Sequence, residues 1–146
     1  MALKQEAEAL SKISLFAKLD ESKLKLLAFT SEWTTFEPGA IVCQQGEPGN
    51  EAYIIIEGTA EIYLESPEGS VHVATRVKND IIGETAIMCD VPRTATVKAG
   101  DKLSVLKISK DVFFQILMGS PEVAVEIIRE LALRLESTTR QLAGAR

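Results

Sequence analysis

The sequence predicts a mainly β fold with flanking α structure: an antiparallel β-roll of the double-stranded β-helix or jelly-roll type, preceded by short helices and followed by a long one. Three observations carry this reading. From Thr34 onward, short β-branched runs alternate with glycines at Gly39, Gly46, Gly49, Gly58 and Gly69, the mark of a compact all-β unit with tight corners. Apolar residues recur at three and four before that stretch and again after Ser109, which is the helical period. With 146 residues, 46% of them hydrophobic, the chain has enough material for one core and the length of one domain. The expected layout is a single domain over residues 1–146, with N-terminal helices in 1–30, a β-roll in 33–109 and C-terminal helices in 110–143.

In chain order, Leu10, Ile13, Leu15 and Phe16 give a first helical stripe, and Leu24, Leu27 and Ala28 a second, with Asp20 or Ser22 as the cap between them. Within the β region, "AEIYLE" from Ala60 to Glu65 alternates apolar and polar, and "SVHVATRV" does the same across the turn "SPEG". A hairpin follows. The alternation points His72 away from Val71 and Val73, onto the surface. "RTATVKA" and "KLSVLKIS" flank Gly100 and Asp101, a second hairpin signal. The helical period then returns. One segment ends at Met118 and Gly119, and Ser120 is the expected cap of the next, with Pro121 at its first position and Glu122 in its first turn.

Composition removes several function classes. No window holds the ~18–20 uninterrupted apolar residues of a membrane span. The opening "MALKQEAEALSK" is charged where a signal peptide is apolar, so a cytoplasmic protein is expected. The net charge of −5 gives no electrostatic footprint for nucleic acid. Lys18, Lys23, Lys25, Arg134 and Arg140 are scattered among acids and read as a solvated face. Cys43 and Cys89 form no CxxC and read as reduced thiols. His72 is the single histidine, which removes most hydrolytic triads, most zinc sites and two-histidine metal centres; no catalytic residue and no metal ligand is expected.

The chemistry concentrates in "DIIGETAIMCDVPRTATV", Asp80 to Val97. After Gly83 the residues Glu84, Thr85, Ala86 and Ile87 read as a single helical turn, and a glycine leading into a helix start turns several backbone N–H groups in one direction. Arg93, beyond the Pro92 turn, is placed to fold back over the same spot, and a planar guanidinium suits two phosphate oxygens. Glu84 beside a phosphate would repel it, unless the carboxylate accepts a hydrogen bond from a neighbouring sugar hydroxyl. Together the three features ask for a sugar phosphate. The competing reading is an ordinary Glu84–Arg93 salt bridge that holds a loop.

The motif "IGETAIM…VPRTATV" resembles the phosphate-binding cassette of the cyclic-nucleotide-binding domain family, whose usual form is Phe-Gly-Glu-Leu-Ala-Leu, a spacer, and Pro-Arg-Ala-Ala or Pro-Arg-Thr-Ala. The upstream "EPGAIVCQQGEPGNEAYIIIEGTAEIYL" is similar to the family's glycine-punctuated strands, so the resemblance spans about Leu15 to Leu142. It implies a non-enzymatic sensor with its cassette at residues 82–97, like that of catabolite-activator proteins and kinase regulatory subunits. The backbone N–H groups of Gly83, Thr85 and Ala86 would meet the cyclic phosphate, Arg93 would neutralise it, and Glu84 would hold the ribose 2′-OH. Thr94 and Ala95 would add a hydroxyl and an N–H, and Ile62 and Val73 would wall the purine, though plain core packing uses the same side chains. Ile82 and Thr85 depart from the usual Phe and Leu, which bears on affinity; Ala52 is smaller than the family's usual residue.

Thr94 after Arg93 leans toward cGMP, whereas "ALRLESTTRQL" resembles the long helix of the catabolite-activator group, in which Thr138 and Thr139 match a pair of residues that reach the adenine amino group. The resemblance favours cAMP, with cGMP as the alternative ligand. Ile128, Leu131, Leu135, Thr138 and Leu142 recur at seam spacing, which predicts a homodimer through the last helix; packing on the chain's own β-roll is the competing account. A ligand-free β-roll serving only as a dimerisation scaffold is the alternative function. Binding would draw in the cassette, and the last helix would carry the change to an attached or partner effector.

Overall fold

The computed structural model describes residues 7–8 and 10–144. Residues 7–8 and 10–11 are helical and lead to a single 3₁₀ turn at Ser14–Phe16; the beginning of the predicted first helix lies outside the described residues. Helix α1, Glu21–Thr30, starts where Asp20 accepts a hydrogen bond from the Lys23 N–H at 2.9 Å, so Asp20 is the cap. It buries Leu24, Leu27 and Ala28. Eight strands follow: β1 Glu32–Phe36, β2 Ile41–Cys43, β3 Glu51–Glu57, β4 Ala60–Ser66, β5 Gly69–Arg76, β6 Ile81–Ile82, β7 Thr96–Ala99 and β8 Leu103–Ser109. Helix α2, Glu84–Cys89, stands between β6 and β7, and α3, Lys110–Gly119, and α4, Pro121–Gly144, complete the chain.

The strands form two four-stranded antiparallel sheets, ordered β1-β8-β3-β6 and β2-β7-β4-β5, which is the predicted jelly-roll arrangement. The β4–β5 hairpin has the expected turn, with Ser66 opposite Gly69. The second hairpin does not form. β7 and β8 belong to different sheets, so Gly100 and Asp101 carry the chain from one layer to the other; a glycine turn marks a corner and a hairpin alike.

Strand β3 is buried on both faces, which is why its sequence, "AYIII", is a run instead of an alternation. Ile54 joins a core beneath the helices with Leu10, Phe16, Leu27, Ile108, Phe113 and Ile127. Tyr53 and Ile55 face the other way, into a core inside the roll with Ala60, Ile82, Val97, Leu103 and Val105. Ser109 caps α3 through the Val112 N–H. Ser120 does not cap α4 with its side chain: its hydroxyl is buried without a partner, and the backbone carbonyl of Ser120 accepts from Val123 and Ala124 instead. No helix of the described residues is long and apolar enough to cross a membrane.

Candidate functional site

The site is built where β6 runs out. Its two residues pair with Tyr53 and Ile54, and at Gly83 the backbone turns into the left-handed region, with φ at 81°, before α2 begins at Glu84. Glycine is needed there twice over: L side chains disfavour that φ, and a Cβ would lie 2.6 Å from Arg93 Nη1. Gly49 clears space from the opposite side, since a Cβ on it would lie 2.3 Å from Arg93 Nε. Two glycines far apart in sequence thus define a slot for one guanidinium. Within α2, the N–H groups of the first turn have no acceptor inside the helix.

Arg93 fills the slot at 6% exposure. Its main chain is clamped by Glu47 O and Gly46 N, its Nη1 donates to Gly83 O at 2.9 Å, and its guanidinium lies 5.7 Å from the centroid of the Tyr53 ring. Among the described residues no carboxylate oxygen comes within 4.0 Å of it. The Glu84–Arg93 salt bridge of the competing reading is therefore absent among the described residues. A buried guanidinium held by one carbonyl and one ring face retains most of its charge for something else.

Glu84, also 6% exposed, pairs with Arg134 of α4 at 2.8 Å. Arg134 bonds Glu130 as well, at 3.0 Å, and the Ile81 carbonyl, while Glu130 accepts from the Ile81 N–H at 3.3 Å. The solvated face assigned to Arg134 from sequence is thus corrected: it is a mostly buried member of this cluster. The signal was its place on α4, seven residues after buried Ile127, on the stripe that faces the roll.

Gly83, Glu84, Thr85, Ala86, Arg93, Thr94, Ala95 and Ile62 surround one cavity of about 170 Å³, together with Cys43, Arg76 and Arg134. Thr138 and Val73 border a neighbouring cavity of about 400 Å³ between β5 and α4, and Val73 is 42% exposed because a bulge interrupts the β4–β5 register beside it. Thr139 borders neither; its hydroxyl bonds Leu135 O at 2.9 Å on the exposed side of α4. Arg76 and Arg134 are common to both cavities.

Titration follows burial here. Desolvation, reinforced by Glu51, pushes the Tyr53 phenol up to about 12, and desolvation raises the Cys43 thiol despite nearby Arg93. Burial also raises Glu130, against the pull of Arg134. Three guanidiniums, Arg76, Arg93 and Arg134, face one carboxylate, Glu84, around the smaller cavity, which makes it a seat for an anion. His72 is exposed and paired with Glu61 at 2.7 Å, away from this site.

Residues 33–120 match the family described as the cyclic nucleotide-binding domain. Over 137 residues the chain is 28% identical to the CRP-like cAMP-activated global transcriptional regulator of Mycobacterium tuberculosis, covering 93% of this chain but 61% of that protein. Among solved structures, it is similar to a cAMP-binding acyltransferase from Mycobacterium smegmatis, with a TM-score of 0.84 and 26% identity over 92% of this chain and 42% of that one. It is similar also to the regulatory domain of Toxoplasma gondii PKA with cAMP, with a TM-score of 0.74 and 25% identity over 90% of this chain and 50% of that one. A glycine turn, an unpaired buried arginine and a match across more than half the sequence converge, and the chain belongs to the cyclic nucleotide-binding domain family.

Proposed function

We propose that this chain is a non-enzymatic cyclic-nucleotide sensor, cytoplasmic, with cAMP the favoured ligand and cGMP the alternative. The observation that carries the reading is Arg93, buried with no carboxylate within 4.0 Å among the described residues and opening on a cavity beside the first turn of α2. A cyclic phosphate brings one negative charge to that guanidinium, with the N–H groups of Gly83, Thr85 and Ala86 around it and Thr94 and Ala95 at its edge. The cavity of about 170 Å³ is small against the ~300–1,000 Å³ of most ligand pockets. Its neighbour supplies the room for the base, past Ile62 of the smaller cavity and toward Val73 and Thr138, with Thr139 available to a second chain. Glu84 takes the ribose 2′-OH.

Transmission runs through Arg134. It ties α4 to Glu84 and to the Ile81 carbonyl of β6, with Glu130 of the same helix steadying its guanidinium, so a ribose hydroxyl arriving on Glu84 competes for the carboxylate that anchors the helix. The ligand moves α4 only by its differential affinity for the two positions. Ile128, Leu135 and Leu142 are exposed along α4, which supports a homodimer through that helix. A ligand-free scaffold is the second reading, favoured by the fact that Glu84 is already paired.

Calorimetric titration of the protein, stripped of carried-over nucleotide, tests the sensor. Saturable binding of one cAMP per chain is expected. Arg93→Ala should cost about 2–5 kcal/mol, as for truncating one member of a buried charge pair. An unchanged affinity in that variant removes Arg93 from the site, and no binding to the parent leaves the scaffold.

A further inference from the structure

Arg134 bridges two carboxylates that belong to different parts of the molecule. Its Nη1 donates to Glu84 of α2 at 2.8 Å, and its Nη2 donates to Glu130 at 3.0 Å and to the Ile81 carbonyl. Glu130 lies one turn before Arg134 on α4, the spacing at which a glutamate and a following basic residue meet. Its Oε1 also accepts the Ile81 N–H at 3.3 Å, so the pair grips Ile81 by both of its backbone polar groups. Both side chains are mostly buried, at 18% and 23% exposure.

The two carboxylates are not equivalent. Glu84 belongs to the cassette and borders the smaller cavity, whereas Glu130 shares a helix with Arg134 and borders the larger one. A ribose hydroxyl that claims Glu84 takes the acceptor from Arg134 Nη1, and a buried donor without an acceptor is costly. Among the described residues Glu130 Oε2 carries no hydrogen bond. That free oxygen lets Glu130 and Arg134 close into a two-pronged carboxylate–guanidinium contact without either leaving α4.

We propose that Glu130 is a positioning residue that takes over Arg134 when the ribose claims Glu84, so that cAMP binds at full affinity only while Glu130 is a carboxylate. The inference rests on the sensor reading above and adds to it the residue that lets the cassette and α4 part. The surroundings of Glu130 make the requirement sensitive to pH. Burial raises its titration above the ordinary glutamate value, against the pull of Arg134 and the Ile81 N–H, and Asp80 of the β5–β6 connection and Glu84 of α2 push the same way as burial. Arg76 of β5 borders the same cavity, and Glu126 and Arg129 of α4 pair with each other nearby. The affinity is therefore complete above the Glu130 value and lost as pH falls through it.

Competition binding on the full chain with cAMP and 2′-deoxy-cAMP, for the parent and Glu130→Gln, tests the hand-over. The amide keeps the shape and an acceptor for Ile81 but removes the charge. Near pH 7.5, Glu130→Gln should weaken cAMP by about three- to tenfold, the span of one net hydrogen bond, whereas 2′-deoxy-cAMP, which makes no claim on Glu84, should change by less than about twofold. In the parent, cAMP affinity should fall by a similar factor between about pH 7.5 and about pH 5, and most of that fall should vanish in Glu130→Gln. Arg134→Leu leaves nothing to hand over, so adding Glu130→Gln to it should change cAMP affinity by less than about twofold. Equal losses for the two nucleotides, parent-like affinity in Glu130→Gln, or an acid loss that persists in that variant overturns the role of Glu130 while leaving the sensor intact. Absence of any cAMP binding to the parent overturns the sensor itself, and this inference with it.

Discussion

At Glu84, one carboxylate pairs with Arg134, 50 positions away in sequence, and is also the group proposed to take a sugar hydroxyl. Glu84→Gln should therefore weaken nucleotide binding by about 1–3 kcal/mol, less than the loss expected at Arg93, and should shrink discrimination against the 2′-deoxy analogue. Competition binding with both analogues measures it; undiminished discrimination makes Glu84 a structural residue. Tyr53, beneath Arg93, yields a pH prediction. Its phenol is raised from 10 to about 12, so its contribution to stability is complete below pH 10 and lost as pH climbs through 12. Tyr53→Phe should remove that alkaline loss, on the order of 1–2 kcal/mol, in urea unfolding followed against pH. Arg93, Gly83 and Glu84 were legible from sequence because one short segment holds all three. Arg134 was missed: its spacing from Ile127 puts it on the inward stripe, but the acids around it read as a solvated face, and pairing with Glu84 depends on a contact 50 positions away.

At the level of elements, α4 is the part proposed to meet a second chain. Leu131 packs against the helical core, whereas Ile128, Leu135 and Leu142 stand exposed on the same helix. Leu135→Asp should turn a dimeric parent into a monomer in sedimentation equilibrium; a monomeric parent discards the seam. The long helix, the β4–β5 hairpin and the glycine-cornered strands could be read from periodicity alone. The Gly100–Asp101 connection could not, because its residues permit a tight turn in either setting and the choice between hairpin and corner belongs to the long-range pairing of β7 with β2 and β4. Ser120 illustrates the same limit: its residue type and position are those of a cap, yet its hydroxyl is buried without a partner.

For the whole molecule, the decisive feature is that β3, β6 and β8 each give one face to the helical core and the other to the core inside the roll. Ile54→Ala, on the helical side, and Ile55→Ala, on the roll side, should each cost about 2–5 kcal/mol in chemical denaturation. Both should shift one common transition, seen alike by far-ultraviolet dichroism and tryptophan fluorescence; two separable steps would mean that the layers fold on their own. Because the same three strands are wedged between them, neither layer has a private interior. On the sensor reading proposed above, a tug delivered at the outer helices would reach the floor of the nucleotide cradle through those shared strands, leaving little slack in which the message could dissipate.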